Sequence, residues 1–347
     1  MDPQATSPDR SVQTRGGRPP RVTVIVVSYN TREITLECLR SLRDETQSLD
    51  HEVIVVDNAS HDGSAEAIAR DFPEYDLIAS TANLGFGAAN NLAAERARGE
   101  RLLLLNPDTV VLDHAVDRVV QFADRVPSAG IWGGRTLFAD RSLNRSSCWG
   151  APTLWSTFCI ATGLTSVFRH TRLFDPESLG PWPRDTEREV DIVVGCFLLI
   201  DRELWNRLEG FDPLYFMYGE DADLCIRARE LGARPRISPE ATIVHLAGAS
   251  EPVRAGKMIR LITAKAQMYT RLWSPWKARL GVVLLDLWAL SRRGAHGLLG
   301  ALGRTSSKKA SQNWKDVWDG REGWRSAARA LRRTGPRRAA GTTEDPA

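Results

Sequence analysis

The chain has 347 residues, of which 42% are hydrophobic and 26% are charged, and its formal net charge is +3. This is the profile of a soluble globular protein with a large core, and it excludes a disordered chain, a collagen-like repeat and a polytopic membrane protein. The five cysteines stand singly without a C-x-x-C pair, which argues against a disulfide framework or zinc cluster and favours a reducing compartment.

Strand-like and helix-like segments alternate in the first third of the chain. Residues 1–20 are polar and contain no apolar run, which predicts a disordered lead-in without a signal peptide, so the cytoplasm is the expected compartment. Apolar runs at 22–28, 53–56 and 102–105 then predict buried parallel strands separated by helices. The alternation predicts an α/β fold with a doubly wound, mostly parallel sheet flanked by helices.

Polar residues follow each of these three strands, at the sheet edge where such folds bind their ligands. They are Ser28-Tyr29-Asn30, Asp57-Asn58 and Asn106-Pro107-Asp108. Asp57 is either a turn residue or an acceptor for the base or ribose hydrogens of a nucleotide. Asp108 either follows a simple turn at Pro107 or holds a hard divalent cation, with water and phosphate oxygens completing the shell.

The segment Asn83-Leu84-Gly85-Phe86-Gly87 contains a G-x-G that opens a helix. A helix N-terminus of this kind can hold a pyrophosphate. As a dinucleotide fingerprint it is weak, because it lacks the third glycine and does not follow the first strand.

The second half of the chain carries further acidic and histidine candidates. Glu220, Asp221 and Asp223 crowd the first turn of a predicted helix, where they either complement the helix dipole or serve a cation or a proton transfer. The apolar stripe of this helix predicts that Asp221 points inward as the better candidate for a base, with Glu220 off that side. Its place at the helix N-terminus predicts that it stays ionised. His245 ends a predicted strand, and it is either structural or a metal or phosphate contact.

Beyond Gly256 the pattern predicts helices. The apolar run 280–290 has eleven residues, too few for the ~20 that span a bilayer. It fits either an interfacial helix or a helix packed on the rest of the chain or on a partner subunit. Residues 292–338 hold thirteen Lys/Arg and three Asp/Glu, a net charge of +10 that leaves −7 for the remainder. Charge alone does not choose between nucleic acid and an anionic membrane surface for this basic segment.

Six motifs in order resemble the family 2 inverting glycosyltransferases of GT-A fold, and most closely the bacterial rhamnosyltransferase-like subgroup. The motifs are VSYN at 27–30, VVDNAS at 55–60, NLGFG at 83–87, NPD at 106–108, GEDADL at 219–224, and His245. The resemblance covers roughly residues 20–250. Together with the composition outside that range, the predicted organisation is a lead-in at 1–20, a GT-A domain at 21–250, a helical extension at 251–304 that is either membrane-interfacial or packed on protein, and a basic mobile tail at 305–347.

The resemblance implies a role for each matching residue. Asp221 matches the catalytic base, and Asp108 and His245 match contacts to Mg²⁺ or Mn²⁺. Asn106 stands where the family's D-x-D motif has its first Asp, which leaves the strength of metal binding open. The residues expected around the nucleotide sugar are Ser28, Tyr29, Asp57, Asn58, Asn83, Gly85, Asn106 and Glu220.

The sequence thus predicts inverting transfer from a nucleotide-sugar donor, with dTDP-rhamnose as the candidate, to a lipid-linked or growing cell-surface glycan. The basic segment would bring a cytoplasmic enzyme to the inner face of the plasma membrane, with no nucleic-acid partner and an open oligomeric state. The alternatives are a nucleotidyltransferase, which would need a basic glycine-rich loop after the first strand, and a non-catalytic sugar-nucleotide-binding scaffold. A nucleic-acid-binding tail would instead predict strongly salt-dependent affinity for DNA.

Overall fold

The computed structural model describes residues 18–246 and 255–334. The strands are β1 Val22–Ser28, β2 His51–Asp57, β3 Asp76–Ala79, β4 Arg101–Leu105, β5 Thr109–Val111, β6 Ile131–Leu137, β7 Leu143–Asn144, β8 Cys148–Trp149, β9 Arg188–Glu189, β10 Ile192–Val193, β11 Phe197–Asp201 and β12 Arg236–His245. The helices are α1 Arg32–Glu45, α2 Ser64–Asp71, α3 Phe86–Arg96, α4 Ala115–Arg125, α5 Leu154–Thr162, α6 Leu164–Val167, α7 Arg202–Arg207, α8 Glu220–Glu230, α9 Ala255–Leu272, α10 Pro275–Ala301, α11 Thr305–Asp319 and α12 Glu322–Thr334.

One large sheet organises the chain, in the order β3-β2-β1-β4-β11-β6-β12-β5, with β7 beside β6 and β9 beside β12. The run β3-β2-β1-β4 is parallel, as the sequence predicts. The α/β fold with helices on both faces is confirmed, but its second half is mixed. There β11 runs antiparallel to both β4 and β6, because it enters the sheet from the site edge.

Alternate side chains of the buried strands point to opposite faces of the sheet, and a hydrophobic core lies on each face. In β1, Val24 and Val26 belong to the core that packs on α1, α2 and α4, whereas Ile25 and Val27 belong to the core that packs on α3, α7 and α8. Burial on both faces explains why these strands are continuously apolar in sequence.

A third core joins the C-terminal helices to the sheet domain. Residues of α9, α10, α11 and α12 pack together with Tyr215, just before α8. The predicted mobile tail therefore differs from the structure, which has two helices at 305–334 whose Val317 and Trp324 are buried. The sequence suggested mobility because this stretch is strongly basic, but its tryptophans supply enough apolar area to dock it.

Three predictions fall wholly or partly outside the described residues. The lead-in is described only from residue 18, the last part of the tail lies in 335–347, and the predicted boundary at 250/251 lies in 247–254. Helix α10 has 27 residues and extends well beyond the predicted run 280–290. Within the described residues, none of the helices is both long enough and apolar enough to cross a bilayer.

Candidate active site

The ends of three neighbouring strands bring the predicted polar turns to one edge of the sheet. Ser28 and Asp57 are direct neighbours in the β1–β2 register, and Val26 of β1 lies opposite Leu105 of β4. The main-chain N–H of Asn106 then donates to the carbonyl of Cys196 at 3.1 Å, which holds the start of β11 against the same edge.

Asp57 is buried at the centre of this edge, with 3% of its surface exposed. Its Oδ2 accepts a hydrogen bond from the N–H of Ser60 at 3.1 Å. Its Oδ1 is buried and has no hydrogen-bond partner in the described part of the chain. A buried acceptor without a partner carries a desolvation cost of about 1–3 kcal/mol, which a ligand donor would relieve.

Ser28 and Tyr29 are neighbours at this edge but differ in burial. The Ser28 hydroxyl is fully buried and shares a hydrogen bond of 2.8 Å with the hydroxyl of Thr35, so it supports the turn from behind. Tyr29 is 44% exposed beside it and is free to contact a ligand.

Asn58 holds the 83–87 loop in place. Its Nδ2 donates to Asn83 Oδ1 at 3.0 Å and to the carbonyl of Gly85 at 3.3 Å, while its Oδ1 accepts from the N–H of Leu84 at 2.9 Å. Gly85 has φ +79°, and a Cβ there would collide with the carbonyl and ring of Phe216. Both polar atoms of the Asn58 side chain thus hydrogen-bond to the 83–87 loop and hold its shape, which makes Asn58 a positioning residue. Gly85 permits the positive φ and the close approach that this shape requires.

Asp108 and His245 meet where β5 pairs with β12. Asp108 is 3% exposed, and its Oδ1 lies 3.3 Å from His245 Nε2. Burial disfavours the charged imidazole, but Cys196 and Asp108 favour it more strongly and raise the pKa of His245 to about 10. His245 Nδ1 is buried without a hydrogen-bond partner among the described residues.

Asp108 and His245 fit a divalent cation in their chemistry once the imidazole has lost its proton, because metal binding requires the neutral form and releases that proton. A carboxylate oxygen and an imidazole nitrogen are ordinary ligands of such ions. Within residues 18–246 and 255–334, no cluster of three or more His, Cys, Asp or Glu could hold a metal ion. Donor phosphate oxygens and water would therefore have to complete the coordination shell.

Glu220 and Asp221 open helix α8 against the same edge. Asp221 Oδ2 accepts from the N–H of Gly195 at 3.2 Å and its Oδ1 from the N–H of Ala222 at 2.8 Å. Gly195 directly precedes Cys196, so these bonds tie Asp221 to the strand that contacts Asn106. Burial raises the pKa of Asp221, and the Gly195 and Ala222 N–H groups partly oppose that shift.

The orientation of Glu220 differs from the prediction. Glu220 is the more buried of the pair, at 6% exposure, and its Oε2 has no hydrogen-bond partner among the described residues. Burial, reinforced by the charge of Asp221, raises the pKa of Glu220 to about 8. The helix dipole alone suggested ionised carboxylates, but desolvation outweighs it here.

The third acidic residue of the cluster is structural. Asp223 is buried and forms an ion pair with Arg227 at 2.7 Å. The hydroxyl of Tyr215 lies 3.4 Å from its other oxygen. Asp223 therefore stabilises the turn that presents Glu220 and Asp221.

Two residues that line or support the site, Cys196 and Phe216, were not among the predicted site residues. The Cys196 side chain hydrogen-bonds His245, and the Phe216 carbonyl accepts from the N–H of Phe86 at 3.0 Å. The available sequence signal for Cys196 is the preceding Gly195, a glycine inside the apolar run 190–200, which indicates a close approach of the backbone. In the structure a Cβ on Gly195 would lie 3.2 Å from the Phe86 ring.

Comparisons with known proteins agree with this geometry. Residues 23–177 match the family model Glycosyl transferase family 2. The chain is 29% identical over 247 residues to N-acetylglucosaminyl-diphospho-decaprenol L-rhamnosyltransferase of Mycobacterium tuberculosis, covering 64% of this chain and 75% of the relative. It is 27% identical over 238 residues to rhamnosyltransferase WbbL of Escherichia coli, covering 65% of this chain and 83% of the relative.

Solved structures share the fold. Mannosyltransferase PcManGT from Pyrobaculum calidifontis, in complex with GDP-Man and Mn²⁺, superposes with a TM-score of 0.51 at 20% identity, covering 96% of this chain and 91% of that chain. GalNAc-T7 with UDP, GalNAc and Mn²⁺ gives a TM-score of 0.55 at 13% identity, covering 78% of this chain and 51% of that chain. The fold is of the GT-A type that these solved glycosyltransferases have. Residues 23–177 are similar to glycosyltransferase family 2, and the chain is similar to curated rhamnosyltransferases.

Proposed function

We propose that this protein transfers a sugar, with inversion, from a nucleotide-sugar donor to a lipid-linked or growing cell-surface glycan, and that dTDP-rhamnose is the donor. The observation that carries the proposal is a group of buried polar atoms on the residues that form this sheet edge, which have no hydrogen-bond partner among residues 18–246 and 255–334. They are Asp57 Oδ1, Glu220 Oε2 and His245 Nδ1. The rhamnosyltransferase names of the curated relatives support the choice of sugar and acceptor class.

We assign donor binding to the residues that follow β1, β2 and β4. Asp57 would accept hydrogen bonds from the base or ribose, and the exposed Tyr29 would cover the nucleotide. Ser28, Asn58, Asn83 and Gly85 set the shape of the pocket through the contacts described above, and Asn106 borders it. Glu220, whose raised pKa favours the protonated form at neutral pH, would donate a hydrogen bond to the donor.

Asp108 and His245 would hold the divalent cation, Mg²⁺ or Mn²⁺. When bound, such an ion stabilises the negative charge that develops on the leaving diphosphate. The Mn²⁺ in the two solved glycosyltransferase structures supports this assignment only by analogy of fold.

Asp221 would act as the general base. As the acceptor oxygen bonds to the anomeric carbon, the acceptor hydroxyl proton passes to the Asp221 carboxylate. The bond to the diphosphate breaks on the opposite side, which inverts the anomeric centre. A raised pKa makes Asp221 a stronger base than an ordinary aspartate, and the N–H groups of Gly195 and Ala222 fix its orientation.

The second candidate function is a non-catalytic sugar-nucleotide-binding protein of a polysaccharide assembly complex. It would use the same edge for the donor, but it would need no base. Asp221 is held by the N–H of Gly195 but remains partly exposed, so an acceptor hydroxyl can reach its carboxylate. This accessibility favours the enzyme over the binding protein.

A panel of nucleotide sugars with Mn²⁺ or Mg²⁺ tests the proposal. We expect one donor, dTDP-rhamnose, to raise the thermal unfolding temperature only when metal is present, and to be hydrolysed slowly without acceptor. Asp108→Asn should abolish the metal dependence. A shift without hydrolysis or transfer to a lipid-linked acceptor would favour the binding protein, and no shift with any donor would contradict both functions.

A further inference from the structure

Large exposed hydrophobic side chains concentrate in one part of the molecule. The described residues have seventeen of them, of which seven lie on α10, Leu302 follows it directly, and five lie between 155 and 173. The α10 residues Trp276, Leu280, Val283, Leu287, Leu290 and Leu298 form a stripe (below, the α10 stripe). Their spacing alternates between three and four residues up to Leu290 and places them on one helix face.

Helix α10 is firmly fixed by its other faces. Val282, Leu285 and Ala289 are buried in the core shared with α9 and α12. Asp286 accepts a hydrogen bond from the Trp324 indole at 2.9 Å and forms an ion pair with Arg325 at 2.9 Å. The exposure of the α10 stripe is therefore a consequence of how the helix is docked.

Helix α5, which packs against α10, and the segment after it carry further exposed apolar side chains. Helices α5 and α6 are tied to α10 by hydrogen bonds from Ser291 to the Ala161 carbonyl and from Arg292 to the Ser166 hydroxyl. The exposed apolar residues of this neighbouring segment are Trp155, Phe158, Val167, Phe168 and Leu173. Monomeric soluble proteins rarely expose so many large apolar side chains together, and such patches mark interaction sites.

The remaining sequence is poor in side chains that could cover this surface. Residues 1–17, 247–254 and 335–347 contain, among large apolar side chains, only Met1, Val12 and Val253. We therefore look outside these residues for the occupant of the surface.

Charge selects the kind of partner. Residues 255–334 hold seventeen Lys/Arg and four Asp/Glu, a net charge of +13. A second copy docked on the α10 stripe would bring two such bundles together against their mutual repulsion. An anionic lipid surface complements the charge, and the exposed Lys277 and Arg279 lie among the apolar residues as interfacial helices require.

We propose that the α10 stripe, with the exposed apolar residues of 155–173, is a membrane-docking face that seats the protein on an anionic lipid surface. The docking is made by a helix face rather than by a mobile basic tail. It does not depend on the sugar-transfer proposal, because neither the stripe nor its neighbours belong to the sheet-edge site.

Vesicle co-sedimentation of the full chain tests this docking. The probes are phosphatidylcholine vesicles with and without phosphatidylglycerol, and the variant is Leu280→Gln/Leu287→Gln. We expect the wild type to bind the phosphatidylglycerol vesicles and the double variant to partition at least about tenfold less. The matched control, Leu231→Gln, removes an exposed leucine at the end of α8 and should bind like the wild type.

The other outcomes are equally decisive. Unchanged binding of the double variant would overturn the proposal, as would equal loss in Leu231→Gln. Self-association of the wild type without vesicle binding, abolished in the double variant by sedimentation velocity, would assign the stripe to a second copy. The donor-induced thermal shift, measured on the same samples, reports the sheet-edge site separately and should be the same in all three proteins.

Discussion

The sheet edge and the α10 stripe depart from ordinary burial in opposite directions. At the edge, Asp57 and Glu220 are buried with polar atoms that have no partner in the described chain. On the stripe, Leu280 and Val283 expose 44% and 59% of their surface to water. Each departure costs free energy in the isolated protein, and each would be relieved by a ligand of matching character.

The two regions differ in what holds them. The edge is fixed by parallel strands and by hydrogen bonds such as those of Asn58, so it is shaped before a ligand arrives. The stripe is one face of a helix whose opposite face is packed. Substitutions of the residues that hold the edge in place, such as Asn58, should therefore change stability and donor binding together, whereas substitutions on the stripe should change only docking.

The largest expected effect on stability comes from substituting a buried tryptophan of the C-terminal helices, and an exposed tryptophan on the α10 stripe is its contrast. Trp324→Ala removes a fully buried side chain and its hydrogen bond to Asp286, and should lower the free energy of unfolding by about 3–5 kcal/mol. Trp276→Ala, on the stripe, should change it by less than about 0.5 kcal/mol. Chemical denaturation measures both, and a loss below about 1 kcal/mol in Trp324→Ala would contradict a docked bundle.

Asn58→Ala tests whether the edge is preorganised. It leaves the N–H of Leu84 without its partner and removes one of the two donors to Asn83 Oδ1, the other being the N–H of Gly85. This should cost about 1–3 kcal/mol of unfolding free energy and raise the donor KM. Tyr29→Ala is the contrast, because an exposed ligand contact should weaken donor binding with little effect on stability. If Asn58→Ala weakens donor binding without loss of stability, Asn58 contacts the donor directly.

Glu220→Gln should alter the pH dependence of stability. The pKa of Glu220 is raised from 4.5 to about 8, so the folded protein retains a proton that the unfolded chain has lost. Its contribution to unfolding free energy should therefore fall as pH rises between about 4.5 and 8, by at most about 1.4 kcal/mol per pH unit. Glutamine removes this slope, so the variant should gain stability relative to wild type as pH rises. Parallel pH curves for the two proteins would contradict a buried, protonated Glu220.

The sequence predicted the sheet edge better than the helical bundle, for physical reasons. Strands buried on both faces are continuously apolar, so runs such as 102–105 and the polar residues after them are visible without tertiary information. The docking of Trp324 and the length of α10 depend on contacts between distant helices. Glycines such as Gly281 also weaken the helical pattern in the sequence. In the structure Gly281 is needed for close helix packing, because a Cβ there would lie 2.7 Å from the Tyr269 ring.

The roles of individual carboxylates were only partly visible. Spacing placed Asp221 at the start of a helix, but it could not show that Glu220 is the more buried residue or that Asp223 is neutralised by Arg227. These features depend on how α8 meets Gly195 and the aromatic turn before it. No local pattern encodes that approach.

The most direct test of the account compares Asp221→Asn with the wild type, measuring donor affinity by calorimetry and sugar transfer on the same preparations. Asparagine keeps the size and an oxygen acceptor but cannot take the acceptor proton. We expect the donor dissociation constant to stay within about threefold and the transfer rate to fall by about 10²–10⁴. Transfer at the wild-type rate would contradict the assignment of Asp221 as the base, and loss of donor binding would show that it serves the donor instead.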